Sequence, residues 1–338
     1  MSLSTLGTRS RSPRLQWTFG ATHHLQPVLN CRPILALLLV IAGLLWLTQA
    51  WGAVATQAAS VPAALTGEFK VFVPGTNELV VILEGRDRVI QLAAGKSEER
   101  QQLAHARAGD VITIQVDDAV EPENVNSIVA IQRPVSGWFR SIAMGIALVL
   151  AVGAASIALQ SRPQQLAIGL DNRYSNSQTQ LVAWTLALTV VYLATIFLRI
   201  FVLGPDYVGG VGITANLAAL SGLSALSFGG AKTITVAKLD KQALEGGPST
   251  KTRAERPDLL RDLFTNDKGV ADLGDFQMIA ITVLAVVIFL VTAFHWLHLL
   301  TLSPSVTLPD VDTSLLAGFG IGQGAYLAKK AAGRVEEG

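Results

Sequence analysis

Arg199, His295, His298 and Gln323 fall inside long apolar stretches of this sequence. Polar groups at membrane depth are candidates for proton relays, ion paths and counter-ions. A histidine can pass protons near neutral pH, an arginine stays charged, and a glutamine can only hydrogen-bond. Each also has a plainer role. Arg199 can snorkel to the interface, His295 beside Trp296 and the nearby His298 suit an interfacial aromatic belt, and Gln323 can bond to a neighbouring helix. No apolar run has an acidic residue at its midpoint, which weighs against an ion-coupled pump. There is no phosphate-binding glycine loop, kinase signature or metal-ligand spacing. His105 is the only histidine between residues 61 and 134. The single cysteine, Cys31, rules out an internal disulfide framework and a Cys-rich metal site. We therefore expect no catalytic set, cofactor or metal, and a protein that is not an enzyme.

The elements that carry these residues are apolar helices. Half of the 338 residues are apolar and 15% are charged, against about 25% charged in soluble domains. The net charge of +1 supplies no field for nucleic acid. Spanning the hydrocarbon core takes about 20 mostly apolar residues in a helix. Six stretches qualify or nearly do: residues 33–51, 141–159, 181–203, 211–228, 276–299 and 313–328. The fourth, with Asn216 and several serines, and the short glycine-rich sixth are the weakest. The first, ending in Trp51-Gly-Ala-Val-Ala55, also reads as a signal peptide with a cleavage site near Ala55.

Basic residues mark the cytoplasmic side of short loops. Arg9, Arg11, Arg14 and Arg32 lie in the N-terminal segment, residues 1–32. Arg162 and Arg173 follow the second span, the 232–275 loop is rich in Lys and Arg, and Lys329, Lys330 and Arg334 follow the last. The intervening loops carry Asp206, Asp310 and Asp312 and no base. The pattern predicts both termini in the cytoplasm, with residues 61–134 outside.

Residues 61–134 read as five short Val- and Ile-rich strands: 68–73, 78–84, 88–92, 110–116 and 127–132. Turn signals at Pro74–Asn77, Gly85–Asp87, Ala94–Lys96 and Asp117–Asp118 separate them, and residues 97–107 suit a helical turn or a polar loop. A small all-β sandwich or barrel-like module is expected. Such a fold licenses no activity by itself.

The second half repeats. Gln180 and Gln277 each precede an apolar run, Phe228 matches Tyr326, and Lys232 matches Lys330, at steps of about 97 or 98 residues. The expected architecture is an α-helical membrane bundle of about six spans. Its last four are a tandem, parallel duplication of one hairpin. Gly222, Ser224, Gly318, Gly320, Gly322 and Gly324 are small residues suited to close helix packing, or to lining a pore or lipid groove. In the inner loop, residues 257–264 suggest a short helix whose leucines and Phe264 share a face.

Gly274-Asp-Phe-Gln277 entering a span, and Gly320-Ile-Gly-Gln-Gly-Ala-Tyr-Leu-Ala-Lys329 closing one, resemble recurring segments of uncharacterised bacterial multi-pass membrane proteins with duplicated two-helix hairpins. The resemblance covers about residues 168–330 and departs at Gly322 and Gln323, where that pattern favours serine and a small residue. It implies a bacterial membrane origin and supplies no activity. The expected function is a non-enzymatic scaffold, sensor or envelope-interaction protein that displays the β module to a protein partner. A channel or transport component formed by the hairpins in a homo-oligomer is the alternative. The expected partners are the lipid bilayer, an outer protein through residues 61–134, or a second copy, and not nucleic acid.

Overall fold

The structure is a computed structural model. It describes residues 64–92, 96–116, 124–160, 162–169, 171–244, 254–265 and 270–332. The N-terminal segment with Cys31, the first apolar run and the signal-peptide reading lie outside the described residues.

Five strands build the β module: β1 (Ala64–Val73), β2 (Glu78–Leu83), β3 (Arg86–Leu92), β4 (Val111–Val116) and β5 (Asn124–Pro134). The Val/Ile alternation turns Leu79, Val81, Ile90, Ile112, Ile114 and Val125 inward, all fully buried. The β2–β3 turn is Glu84-Gly85, both at positive φ (51° and 76°). Two such residues match the right-handed strand twist, so Arg86 and Asp87, expected in the turn, belong to β3 instead. β1 pairs with β4 through its first half and with β2 through its second, bending at an irregularity between Phe69 and Val71. β2 pairs with β3, β4 with β5, and a short parallel pairing of Gln91 with Asn124 closes β3 onto β5. Helix α1 (Ser97–Ala104) lies between β3 and β4 and plugs the barrel with Leu103. A closed five-stranded barrel in the order 1-2-3-5-4-1, with a helix after β3, has the connectivity of the OB-fold.

Six more helices follow: α2 (Gly137–Ala158), α3 (Asn176–Leu198), α4 (Ala215–Leu244), α5 (Leu259–Phe264), α6 (Leu273–Trp296) and α7 (Thr313–Ala332). α3 continues into a π-helical turn, Arg199–Leu203. Among the described residues, three helices are long and apolar enough to cross a membrane: α2, α3 with its π-turn, and α6. α6 alone, with 24 residues, is ~36 Å long, against a hydrocarbon core of ~30 Å. α4 starts later than residue 211 because Val211 and Gly212, as β6 (Val211–Gly212), pair in parallel with β8 (Val306–Thr307). α3, α4, α7 and α6 pack in a ring, and α2 lies outside against α3. Their shared core holds Trp184, Val191, Leu198, Leu220, Phe289, Phe294 and Phe319.

Several features recur at nearly constant steps. An antiparallel bridge, Ile168 to Tyr174, precedes α3, and one from Thr265 to Ala271 precedes α6. Lys232 Nζ lies 5.7 Å from the Phe228 ring centre, and Lys330 Nζ lies 5.5 Å from that of Tyr326.

Candidate functional site: an arginine-tied junction and a buried amide layer

The last four carbonyls of a helix have no partner within it. At the barrel end of the bundle, arginines supply that need. Arg133, on β5, donates Nη1–H to the Val202 carbonyl at the end of α3 (3.0 Å) and Nη2–H to the His105 carbonyl (3.1 Å). The same guanidinium grips Asp110 through both oxygens, Nε to Oδ1 at 2.9 Å and Nη2 to Oδ2 at 2.8 Å. Both side chains are buried. A forked guanidinium meets a carboxylate in this way and a lysine cannot. Arg140, on α2, donates to the Phe294 carbonyl near the end of α6 (2.6 Å) and lies over the Phe294 ring.

Arg199 is almost completely buried, and its role is different from snorkelling. Its Nε–H donates to the Tyr207 carbonyl (2.7 Å), and Nη2–H donates to those of Ser303 (2.7 Å) and Pro304 (3.3 Å). It thus ties the loop after α3 to the loop after α6. The backbone completes the junction. The strand β7 (Leu299–Thr301) joins the barrel sheet beside β5, Gln132 opposite Thr301, and Leu302 packs against the barrel core. His298 is exposed; its backbone carbonyl accepts from Val135 N–H (2.8 Å) and its Nδ1 lies 3.3 Å from the Val135 oxygen. His295 is exposed and packs edge-on to Phe294.

Deeper in the ring lies a polar layer. Trp184 donates Nε1–H to Ser221 Oγ (2.8 Å) and packs at a tilt against the Phe289 ring (centres 5.3 Å apart), which sets α3 against α4 and α6. Gln180 lies one turn before Trp184 on the same face of α3. Ser224 lies about one turn past Ser221 on α4, which runs the other way. On α7, a Cβ at Gly322 would lie 3.2 Å from Ile281 of α6, which sets Gln323 level with Thr282. Gln180, Ser224, Thr282 and Gln323 thus sit within about one or two turns of one level, all buried. The Ser224 and Thr282 hydroxyls donate to carbonyls of their own helices, Leu220 (3.1 Å) and Met278 (2.8 Å). Both amide atoms of Gln180 and the Oε1 of Gln323 have no partner among the described residues. Each such atom costs about 1–3 kcal/mol.

Other residues sit elsewhere. Gln277, the sequence match of Gln180, is exposed. A Cβ at Gly222, Gly318 or Gly324 meets no described residue within 4 Å, and one at Gly320 makes ordinary contact with Leu223. Among the glycines of α4 and α7, the tight approaches are at Gly322 and at Gly230, where Leu327 lies 3.3 Å away. Sequence reasoning passed over Arg133, Arg140 and Asp110; the one available signal was a pair of arginines flanking the barrel–helix boundary.

At the far end, Lys329 of α7 pairs with Asp272, which caps α6 by accepting from Gly274 N–H (2.8 Å) and Asp275 N–H (3.2 Å). Burial opposes ionisation of Asp272, but Lys329 and the two backbone donors outweigh it and hold the carboxyl below the usual carboxylate range. Among the described residues no group of His, Cys, Asp or Glu could hold a metal ion. The chain matches no family model, no curated protein and no solved structure.

Proposed function

We propose that this is a non-enzymatic, multi-pass protein of a bacterial inner membrane, which presents its OB-type barrel outside the cell as a docking or sensing module. In this reading α4 and α7 also cross the membrane, both termini are cytoplasmic, and α3–α4 and α6–α7 are two parallel copies of one hairpin. The recurring bridges and the two Lys-over-ring pairs support the duplication. The parallel β6–β8 pairing joins equivalent points of the two copies.

The observation that carries the proposal is a row of valines on the barrel's outer surface. Val71, Val80 and Val89 lie side by side across β1, β2 and β3 by register. Val71 and Val89 are 46% and 59% exposed, so the row is an apolar strip facing away from the barrel core. Polar neighbours flank it, among them the Lys70–Asp87 pair. An apolar strip with a polar rim is the pattern of a protein contact. The arginine ties and β7 would carry a load on that surface to the ends of α3 and α6.

Two measurements test this. Cysteines placed at Val89 and at Glu255, in a Cys31→Ser background, should label differently in intact cells with an impermeant thiol reagent. Val89→Cys should label from outside, and Glu255→Cys only after permeabilisation. Second, in vivo photo-crosslinking from position 71 should trap a discrete envelope protein, and Val89→Glu should abolish that adduct. Labelling of the inner position in intact cells, or an adduct indifferent to Val89→Glu, overturns the reading.

A second reading rests on the Gln180 amide and the Gln323 Oε1, which have no partner among the described residues. Polar atoms of this kind inside a bundle suit a hydrated path, hence a channel or transport component. Conductance or solute flux in reconstituted vesicles would favour it, and its absence would remove it.

A further inference from the structure

The short helix α5 separates two concavities. On one side is a cleft of about 330 Å³, lined by Arg173, Arg256 and Arg261 together with Glu255, Asp258 and Asp262. On the other is an apolar groove of about 410 Å³ that begins at Phe264 and runs along α6 from Phe276 to Val287.

The charges in the cleft are unequally occupied. Asp262 Oδ2 accepts from the N–H groups of Tyr174 (3.1 Å) and Asp258 (3.0 Å), and Asp258 Oδ1 accepts from Arg261 N–H (3.1 Å). Two of the three carboxylates therefore serve the backbone. The guanidinium groups of Arg256 and Arg261 meet no carboxylate among the described residues, and both side chains are exposed. The cleft is formally balanced, three arginines to three carboxylates, and the exposed guanidinium groups of Arg256 and Arg261 are the ones it offers to an anion.

The groove has the dimensions of one leaflet. Eleven steps along α6, from Phe276 to Val287, cover ~16 Å, about half of a ~30 Å hydrocarbon core. The two concavities are adjacent by helical geometry. Leu260 and Phe264 are four residues apart and share a face of α5, Arg261 is one residue round from Leu260, and Asp262 points the other way. Leu260 (68%) and Phe276 (53%) are exposed apolar side chains on the two helices, and Leu284 (54%) is another farther along the groove.

We propose that α5 and α6 hold one anionic phospholipid, its phosphate against Arg256 and Arg261 and one acyl chain in the groove along α6. Arginines exposed at the cytoplasmic membrane surface attract anionic headgroups. The site requires α6 to cross the membrane; it does not depend on the barrel having a partner, so the two can fail separately.

The test uses the full chain in detergent, titrated with phosphatidylglycerol or phosphatidylcholine of identical acyl chains, read by native mass spectrometry and thermal shift. Phosphatidylglycerol should remain bound and raise Tm more than phosphatidylcholine. Arg256→Gln and Arg261→Gln, both at exposed positions, should each weaken phosphatidylglycerol binding about fivefold and leave phosphatidylcholine unchanged. Val283→Trp, at the groove wall, should weaken both lipids. Equal binding of the two lipids overturns the proposal, as does an unaltered Arg256→Gln/Arg261→Gln double variant or an unaltered Val283→Trp variant. An equal Tm rise with glycerol 1-phosphate alone also overturns it, because the site would then take a free phosphate and not a lipid.

Discussion

Arg133 and Asp110 form a buried, two-bond ion pair, and the same guanidinium reaches out of the barrel to the last turn of α3. A single side chain therefore closes a charge inside one domain and caps a helix of the other. Asp110 in turn accepts from Arg107 N–H (2.8 Å), so the carboxylate is held from two sides.

Arg133→Gln should leave Asp110 buried without its cation. Removing one partner of a buried pair costs about 3–5 kcal/mol. The expected outcome is a large fall in Tm and faster proteolysis in the segment joining β5 to α2. Arg133→Gln combined with Asp110→Asn should recover part of the loss, because no uncompensated charge remains.

Gly210 and Gly222 should respond in opposite directions to alanine. Gly210 has a φ of +70°, and a Cβ there would lie 2.4 Å from the Pro304 oxygen and 2.8 Å from Ser305 Cα. Gly210→Ala should cost more than about 1–3 kcal/mol and increase amide exchange in β6 and β8. Gly222 lies in α4 with no described residue within 4 Å of a Cβ. Gly222→Ala should be neutral or stabilise by up to about 1 kcal/mol. Parallel melting curves of the two variants check this.

Acid should loosen the far end of α6. The Asp272 carboxyl titrates below its ordinary value in the fold, taken as ~3.9 when unfolded. A depressed folded value means the contribution is fully present above the unfolded pKa and is lost as pH falls through the folded one. Stability should be flat from neutral pH to about pH 5 and then decline. Lys329→Met removes the cation that offsets burial, so the decline should begin at a higher pH. Melting temperature against pH, wild type beside the variant, reads the difference.

Gln180→Leu should raise Tm. It removes two unpartnered polar atoms from a fully buried position and replaces them with an apolar side chain of similar length. The gain should be about 1–3 kcal/mol. A lower Tm together with loss of solute flux would instead favour the hydrated-path reading.

The three apolar helices were legible in the sequence because a spanning run is a local property of about 20 consecutive residues. The five strands were legible for a similar reason: alternating Val and Ile with turn residues between them. Their ends moved by a few residues, and the Glu84-Gly85 turn shows why. Which residues form a two-residue turn depends on how the flanking strands twist.

Side-chain phase was less legible. Gln180 and Gln277 occupy matching places in the two sequence segments, yet one is buried and the other exposed. In the structure Met278, one residue on, is the buried side chain, as Ala285 answers Ala187 and Phe289 answers Val191. One residue rotates a helical position by about 100°, so a one-residue difference in alignment turns a side chain out of the core.

By itself the sequence determined what depends on neighbours along the chain: the apolar helices, the strands with their inward residues, and the chemical sparseness of the apolar runs. Only the tertiary structure decided that β5 pairs with β7 (Gln132 and Thr301 are 169 residues apart). It also decided that β3 closes onto β5, that Arg199 joins two loops, and that Arg133 serves both domains. The physical reason is the same in each case. A guanidinium or a strand edge can be satisfied by any carbonyl row brought within about 3 Å. Sequence states the need for a partner, while the packing of the whole chain selects which one arrives.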